Sequence, residues 1–195
     1  MSTKTALVPV ADGSEDIETV MIVDVLRRAG ITVTVASVAK SRTVTCARGT
    51  RIECDAFFAD IAAEEFDLIA LPGGMPGAEH LRDTPGLIAM LKNQDARGAL
   101  FAAICASPGV VLGTLGLIGS RAATAYPGFE HLLPAGSARA DRVVRDGNLV
   151  TSRGPATALD FALALVESLC GRERAEQVAA GLLATMPEIS PPPHL

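Results

Sequence analysis

Cys105 is the residue whose surroundings in this sequence best suit covalent chemistry. It lies in the segment 103–107, between an apolar run and a stretch with helical character. Small residues two positions before and after a nucleophile let a strand turn sharply into a helix and present the side chain at the turn. The N-terminus of that helix would stabilise a thiolate, so we expect a reactive cysteine with a pKa well below about 8.5. The alternative is a buried, inert cysteine, because free cysteines are commonly buried.

Backbone N–H groups that could assist Cys105 are offered by two positions. Pro72-Gly73-Gly74 ends an apolar run, and paired glycines let the backbone approach a developing oxyanion closely. We therefore expect the N–H groups of Gly74 and Ala106 to form an oxyanion hole. A simple turn would use Gly-Gly equally well.

Glu18 is the candidate general acid or base. At helical spacing it shares a face with Met21 and Ile22, and burial on that face would raise its pKa. It could then hold a proton against Cys105. The neighbouring Asp16 is expected on a solvated face, as a complement to the helix dipole. The three histidines fall in a surface-type helix, a loop and the C-terminal segment, so a hydrolytic Cys-His triad is not expected.

The elements that must position these residues alternate between strands and helices, which predicts an α/β fold with a mostly parallel sheet covered by helices on both faces. Predicted strands are 5–10, 31–38, 66–71 and 99–104, with hairpins at 43–46/51–54 and 138–145/148–152. Predicted helices are 15–28, capped by Asp12 or Ser14, then 78–93, 107–115, 156–170 and 173–183. We expect a single domain over residues 1–186 and a loose, Pro-rich tail over 187–195.

The composition narrows the classes of function. The chain has 17 basic and 22 acidic side chains and a formal net charge of -5, so nucleic acid is not expected as a main partner. Neither a signal peptide nor a membrane-spanning segment is visible, which predicts a cytoplasmic protein with no membrane contact. Four cysteines occur without CxxC pairs or a histidine cluster. We therefore expect free thiols and no metal site.

Four short motifs occur in an order typical of one protein family: residues 12–19 (DGSEDIET), 71–74 (LPGG), 102–106 (AAICA) and 151–155 (TSRGP). Together they resemble the ThiJ/PfpI superfamily over about residues 4–183, in the branch of the parkinsonism-associated protein deglycase and bacterial YajL. The resemblance implies a flavodoxin-like sandwich, a homodimer, Cys105 as nucleophile and Glu18 as its acid/base partner.

The resemblance also implies residues that contact the substrate. These candidates are Glu15, Arg28, Arg48, Tyr126 and Pro155. Arg28 would reach across the dimer to the partner's pocket. The apolar Met21 and Val25 beside it, on a helix that would otherwise expose them, also favour a dimer. Tyr126 stands where many relatives have a histidine, a departure that argues against peptidase activity.

Two functional hypotheses remain open at this stage. In the first, the protein is a glutathione-independent glyoxalase or deglycase that acts on methylglyoxal, glyoxal or their early adducts, and needs no cofactor. In the second, it is an oxidative-stress sensor or redox-regulated chaperone in which Cys105 is oxidised to the sulfinate. A steady-state rate of methylglyoxal turnover would favour the first hypothesis over the second.

Overall fold

The structure is a computed structural model that describes residues 3–190. Within these residues the strands are β1 (Thr5–Val10), β2 (Thr32–Ser37), β3 (Thr43–Thr45), β4 (Arg51–Glu53), β5 (Ala56–Phe57), β6 (Leu68–Leu71), β7 (Leu100–Ile104), β8 (Val143–Asp146) and β9 (Leu149–Ser152). The α-helices are α1 (Asp16–Arg28), α2 (Phe58–Ile61), α3 (Gly77–Arg82), α4 (Pro85–Ala96), α5 (Ala158–Cys170) and α6 (Arg172–Gly181). A π-helix spans Pro108–Gly113, and single 3₁₀ turns span Glu130–Leu132 and Pro155–Thr157.

The central sheet has the strand order β5-β2-β1-β6-β7-β9-β8. Its neighbours are parallel except for β8 and β9, which form an antiparallel hairpin at one edge. The chain moves outward in one direction from β1 to β2 and in the other from β6 to β7. The order therefore reverses beside β1 and β6, where α/β folds open a crevice at the carboxyl ends of the strands.

Apolar strands and two helix layers form the core. Every residue of β6 is apolar and fully buried, as expected of a parallel strand covered on both faces. Helix α1 packs against α5, and α5 against α6. Gly30, with φ of +80°, follows the end of α1 and lets the chain turn back into β2. The predicted α/β fold with a mostly parallel sheet is confirmed.

Several predicted elements differ in detail from the observed ones. The predicted helix 78–93 is two helices, because Pro85 begins a new helix after the short α3. The predicted helix 107–115 is the π-helix Pro108–Gly113. Strand β5 and helix α2 were not predicted at all, since an element of two to four residues is too short to show a period.

The small hairpin β3–β4 forms its own two-stranded sheet. It is attached to the beginning of α1, because Gly13 N–H donates to the Thr45 carbonyl and Ala47 N–H donates to the Ser14 carbonyl. The N-cap of α1 is Glu15, rather than the predicted Asp12 or Ser14. The hairpin therefore belongs structurally to the loop between β1 and α1.

The C-terminal segment contacts the rest of the protein as far as the described residues extend. Met186 and Ile189 pack against the core, and Ser190 pairs with Val144 of β8. The chain is thus attached as far as Ser190, whereas the rest of the expected loose tail lies outside the described residues. None of the helices within residues 3–190 has the length and apolar content that crossing a membrane requires.

Candidate active site

Three loops at the carboxyl edge of the sheet meet to form the candidate site. They follow β1, β6 and β7, which are neighbours in the sheet. These loops lead to Glu18 in the first turn of α1, to Gly73 and Gly74, and to Cys105. Residues separated by up to 87 positions, from Glu18 to Cys105, are therefore brought to one place by the strand order.

Cys105 occupies a backbone conformation that side chains other than glycine rarely adopt, with φ of +66°. Hydrogen bonds hold this turn on both sides: the Cys105 N–H donates to the Ser152 carbonyl at 2.9 Å, and the Cys105 carbonyl accepts from Tyr126 N–H at 2.8 Å. A Cβ on Gly73 would lie 2.6 Å from the Cys105 Cβ. The surroundings thus keep Cys105 in a strained turn, a feature that clusters at functional sites.

Glu18 is completely buried, as the helical spacing predicted. Its Oε2 accepts a hydrogen bond from Gly73 N–H at 2.8 Å, whereas Oε1 makes no well-aligned hydrogen bond with any described residue. The Cys105 thiol is nevertheless close enough to the carboxyl for each group to shift the pKa of the other. Burial, with a smaller contribution from the charge of Glu15, raises the pKa of Glu18 to about 7.

The thiol of Cys105 differs from the sequence-based prediction. Burial, followed by the charge of the Glu18 carboxylate, raises the pKa of Cys105 to about 12, although the N–H groups of Gly74 and Ala106 act in the opposite direction. The prediction of a pKa below that of a free thiol was therefore wrong. It relied on a helix N-terminus and on a proton held by Glu18, but the helix is a short π-helix, Cys105 is only 8% exposed, and the charge of Glu18 opposes a thiolate.

Glu18 and Cys105 are best described as one coupled pair. Each negative charge opposes the other, so the two protons leave in well-separated steps. Loss of the first proton near pH 7 leaves one negative charge and one proton for the two side chains. A sulfur that attacks an electrophile in this state can leave its proton on Glu18. The arrangement is suited to general acid/base catalysis at neutral pH.

The predicted oxyanion-hole groups lie beside the sulfur. The backbone N–H groups of Gly74 and Ala106 both act on the Cys105 thiol in the direction that lowers its pKa. A Cβ on Gly74 would lie 2.4 Å from the Gly13 carbonyl oxygen, and its φ is +86°. A residue with a side chain could not hold the N–H in this position. Whether these donors stabilise an oxyanion remains a prediction.

The other predicted site residues have different positions. Glu15 is the N-cap of α1 and accepts a hydrogen bond from Glu18 N–H at 2.8 Å. Tyr126 pairs through its backbone with Cys105, and the half-buried Pro155 follows Gly154, which lies against the Tyr126 ring. These residues border the site within one chain.

The two predicted arginines lie farther out. Arg48 is exposed in the β3–β4 turn, and its backbone N–H donates to Asp16 at 2.8 Å. Arg28 forms an ion pair with Asp24 at 2.6 Å. Because it follows Glu18 by ten positions of one helix, it lies about 15 Å away along the axis. Arg28 does not approach Cys105 within the chain.

Asp16 is buried rather than solvated, which corrects the prediction. It accepts hydrogen bonds from the backbone N–H groups of Arg48 and Thr50, at 2.8 and 3.0 Å. Burial acts to raise the pKa of Asp16. These hydrogen bonds and one from the Thr50 side chain outweigh burial, so the pKa is lowered. The carboxylate therefore fastens the β3–β4 turn to α1. The sequence gives no local signal of this contact, which joins residues more than 30 positions apart.

Close contacts between the site loops are a further feature, and they join residues far apart in the sequence, which shows no signal of them. A Cβ on Gly77 would lie 2.4 Å from Ser14 N, and one on Gly13 would lie 2.5 Å from Pro76 Cδ. Ser107 Oγ also donates to the Pro72 carbonyl at 2.6 Å. The loops after β1 and β6 are thus packed closely at these glycines, and the Ser107 side chain joins the loop after β7 to them. Among residues 3–190, no three His, Cys, Asp or Glu side chains are grouped so that they could hold a metal ion.

Glu18→Gln should make the protein more stable near neutral pH. Burial favours the protonated carboxyl, so between about pH 4.5 and 7 the folded protein keeps a proton that the unfolded chain has lost. The free energy of unfolding therefore falls as the pH rises through this interval, by up to about 3 kcal/mol. Urea unfolding at pH 5 and 7.5 should show this decrease in the free energy of unfolding for the wild type and not for Glu18→Gln. An equal decrease in both proteins would contradict the raised pKa of Glu18.

Comparisons with known proteins agree with this fold. The model of the DJ-1/PfpI family matches residues 4–168. "Protein DJ-1 homolog A" of Arabidopsis thaliana is 46% identical over 183 residues, which are 93% of this chain and 47% of that protein, so the chain spans about half the length of this relative. "Glutathione-independent glyoxalase DJR-1.2" of Caenorhabditis elegans is 38% identical over 86% of this chain and 89% of that protein. The structure of "Toxoplasma gondii DJ-1, oxidized" superposes with a TM-score of 0.92, at 48% identity, over 94% of this chain and all of that chain.

Proposed function

The chain belongs to the DJ-1/PfpI family, and on this premise we propose that it is a cysteine-dependent, glutathione-independent glyoxalase that converts small 2-oxoaldehydes such as methylglyoxal and glyoxal to 2-hydroxy acids. The observation that carries the proposal is the buried Glu18–Cys105 pair, with a carboxyl pKa of about 7 beside a strained cysteine. A relative named as a glutathione-independent glyoxalase supports the same reaction.

The first step adds the Cys105 sulfur to the aldehyde carbon. A carbon–sulfur bond forms, the thiol proton passes to Glu18, and the aldehyde oxygen becomes an oxyanion that the N–H groups of Gly74 and Ala106 can stabilise. Protonation of that oxygen gives a hemithioacetal. The unpartnered Oε1 of Glu18 is the oxygen free to carry the proton.

The second stage moves hydrogen between the two substrate carbons. Once Glu18 has given the thiol proton to the oxyanion, it is a carboxylate again and can remove the proton from the former aldehyde carbon. It returns that proton to the neighbouring carbon while the hydroxyl proton passes to the former ketone oxygen, so the first carbon is oxidised to a thioester and the ketone is reduced to an alcohol. The redox change is internal and requires no outside oxidant. Water then hydrolyses the thioester, releasing lactate from methylglyoxal and restoring the thiol.

Early adducts of 2-oxoaldehydes on proteins would be released by the same chemistry, which is the deglycase form of the proposal. Cys105 is only 8% exposed. A free aldehyde of a few atoms reaches such a buried group more readily than an adduct carried on a protein chain. The glyoxalase reaction is therefore the form that the geometry supports best.

An oxidation sensor is the second candidate, and it could control a chaperone activity. The N–H groups of Gly74 and Ala106, together with Glu18, could hydrogen-bond the oxygens of a sulfinate on Cys105. The similar structure from Toxoplasma gondii is described as oxidized. Two equivalents of peroxide would convert the thiol to the sulfinate. Intact mass after mild peroxide, a gain of about 32 Da, would detect it.

Lactate formation from methylglyoxal tests the proposed function. The purified protein should produce lactate continuously in buffer that contains no glutathione, at a rate proportional to protein concentration. The comparison is the same protein after alkylation of its thiols. Oxidation of Cys105 by peroxide without any lactate above the buffer rate would overturn the glyoxalase proposal and favour the sensor.

A homodimer is expected because α1 exposes apolar side chains. Ile17 is 53% and Val20 is 52% exposed, and Met21 beside them is partly exposed, whereas Val25, which was also predicted to be exposed, is fully buried. An apolar helix face of this kind is typical of an interaction surface. A second copy bound there would give Arg28 access to the partner's site.

Light scattering should give twice the chain mass of 20.1 kDa at micromolar concentration. Val20→Glu should shift the protein toward the monomer, because a charge would be buried in the interface. Leu183→Glu, at a 98% exposed apolar residue, is the matched control. A wild-type monomer at these concentrations would count against the dimer.

A further inference from the structure

Tyr126 places an exposed aromatic ring at the edge of the candidate site. Its backbone N–H donates to the carbonyl of Cys105 at 2.8 Å, so the two residues are direct neighbours. The side chain is 45% exposed, although most large apolar side chains of the protein are buried. The residue that pairs with the nucleophile through its backbone therefore carries a ring with a surface available to a ligand.

One side of this ring lies against Gly154. A Cβ on Gly154 would lie 3.0 Å from Tyr126 Cδ2 and 3.5 Å from Cε2, so a side chain at this position would crowd the ring. Phe129 makes a T-shaped contact with the ring, with centroids 6.5 Å apart and an interplanar angle of 61°. Contact with Gly154 and Phe129 restrains the ring, and its exposed surface is left for a ligand.

The loop that carries Tyr126 is also fixed. The π-helix presents Gly109 and Gly113 to this loop, where a Cβ would lie 2.7 Å from the Phe129 carbonyl oxygen and 2.3 Å from that of Leu132. Glu130 of the loop approaches Arg153 at 3.7 Å. The ring orientation is thus set before a substrate binds, which reduces the entropy lost on binding.

We propose that Tyr126 is a specificity-determining aromatic platform that stacks against the planar substituent of an aryl-substituted 2-oxoaldehyde, the chemical class of phenylglyoxal. Cys105 attacks the aldehyde carbon of this substrate, and the aryl group lies on Tyr126. The inference depends on the proposed glyoxalase function and adds the substrate class. Stacking of two aromatic rings strengthens binding by about 2- to 12-fold, in addition to the effect of the apolar area that the rings bury.

The ratio of kcat/KM for phenylglyoxal to kcat/KM for methylglyoxal tests the platform. Tyr126→Phe keeps the ring, so the ratio should stay within about twofold of the wild type. Tyr126→Ala removes the ring, so the ratio should fall by at least about twofold and by as much as about 12-fold. Leu183→Ala, which removes an exposed apolar side chain elsewhere, should leave the ratio unchanged. An unchanged ratio in Tyr126→Ala, or an equal fall in Tyr126→Phe, would overturn the proposal.

Fluorescence gives a readout that does not depend on turnover. The chain has one tyrosine and no tryptophan, so its intrinsic emission comes from Tyr126. Mandelate, the hydroxy acid formed from phenylglyoxal, should change this emission saturably, whereas lactate at equal concentration should not. Free N-acetyltyrosinamide serves as the control for absorption by the ligand.

The two measurements separate failure of the inference from failure of the proposed function. Turnover of methylglyoxal with no effect of Tyr126→Ala on the ratio would reject the platform alone. Absence of turnover with either aldehyde would reject the glyoxalase function. In that case a saturable mandelate signal would still support the aromatic platform, and no signal would reject it as well.

Discussion

Cys105→Ser should reduce lactate formation from methylglyoxal by about 10³-fold or more, to a rate close to that of buffer. Serine is nearly isosteric, so the turn at φ of +66° and the hydrogen bonds to Ser152 and Tyr126 should survive. Its hydroxyl is a much weaker nucleophile, and a thioester can no longer form. The measurement is the steady-state rate without glutathione, with the thermal unfolding midpoint as the test of folding.

Cys170→Ser is the matched control for this prediction. Cys170 is a free thiol at the end of α5, near Lys4 and therefore at the opposite edge of the sheet from the site. Its replacement should leave the rate within about twofold of the wild type. Retention of wild-type activity in a folded Cys105→Ser protein would show that another group performs the chemistry.

Glu18→Gln should lower turnover by about 10²- to 10⁴-fold, the usual contribution of general acid/base catalysis. Glutamine can still accept the hydrogen bond from Gly73 N–H but cannot take up the thiol proton or move a proton between substrate carbons. Oxidation should behave differently. Because peroxide requires only the sulfur, Cys105 of this variant should still gain oxygen in a mass spectrum.

The pH dependence provides a second test of Glu18. Since its pKa is raised to about 7, the wild-type rate should increase as the pH rises through that value and the carboxyl becomes able to accept a proton. The residual rate of Glu18→Gln should lack this transition. Glu173→Gln, on the exposed side of α6, should keep both the rate and the profile. Wild-type turnover in Glu18→Gln would leave Glu18 only a structural role.

Features with a local pattern could be predicted from the sequence. The apolar runs that became β1, β6 and β7 identified the sheet, and the glycines after β6 and the small residues around Cys105 identified two site loops. Burial of Glu18 followed from helical spacing. These features depend on neighbours a few positions apart, so single-sequence reasoning could reach them.

Features that depend on tertiary packing could not be predicted. The prediction for the thiol pKa was wrong because tertiary packing buries the thiol and makes the charge of Glu18 raise this pKa rather than lower it. Asp16 was assigned to solvent because its partners, Arg48 and Thr50, belong to another element. Val25 was expected to be exposed, but the contact of α1 with α5 buries it.

The contacts between Gly13, Gly74 and Gly77 limit how this protein can diversify. Because the loops carrying Glu18 and the Gly74 N–H meet backbone to backbone, a mutation that adds a side chain at these glycines moves both groups at once. Random libraries selected for turnover of a new aldehyde should therefore retain all three glycines. Accepted changes should accumulate at the exposed edge of the site, around Tyr126 and Arg48, where a side chain can change without displacing a neighbouring loop.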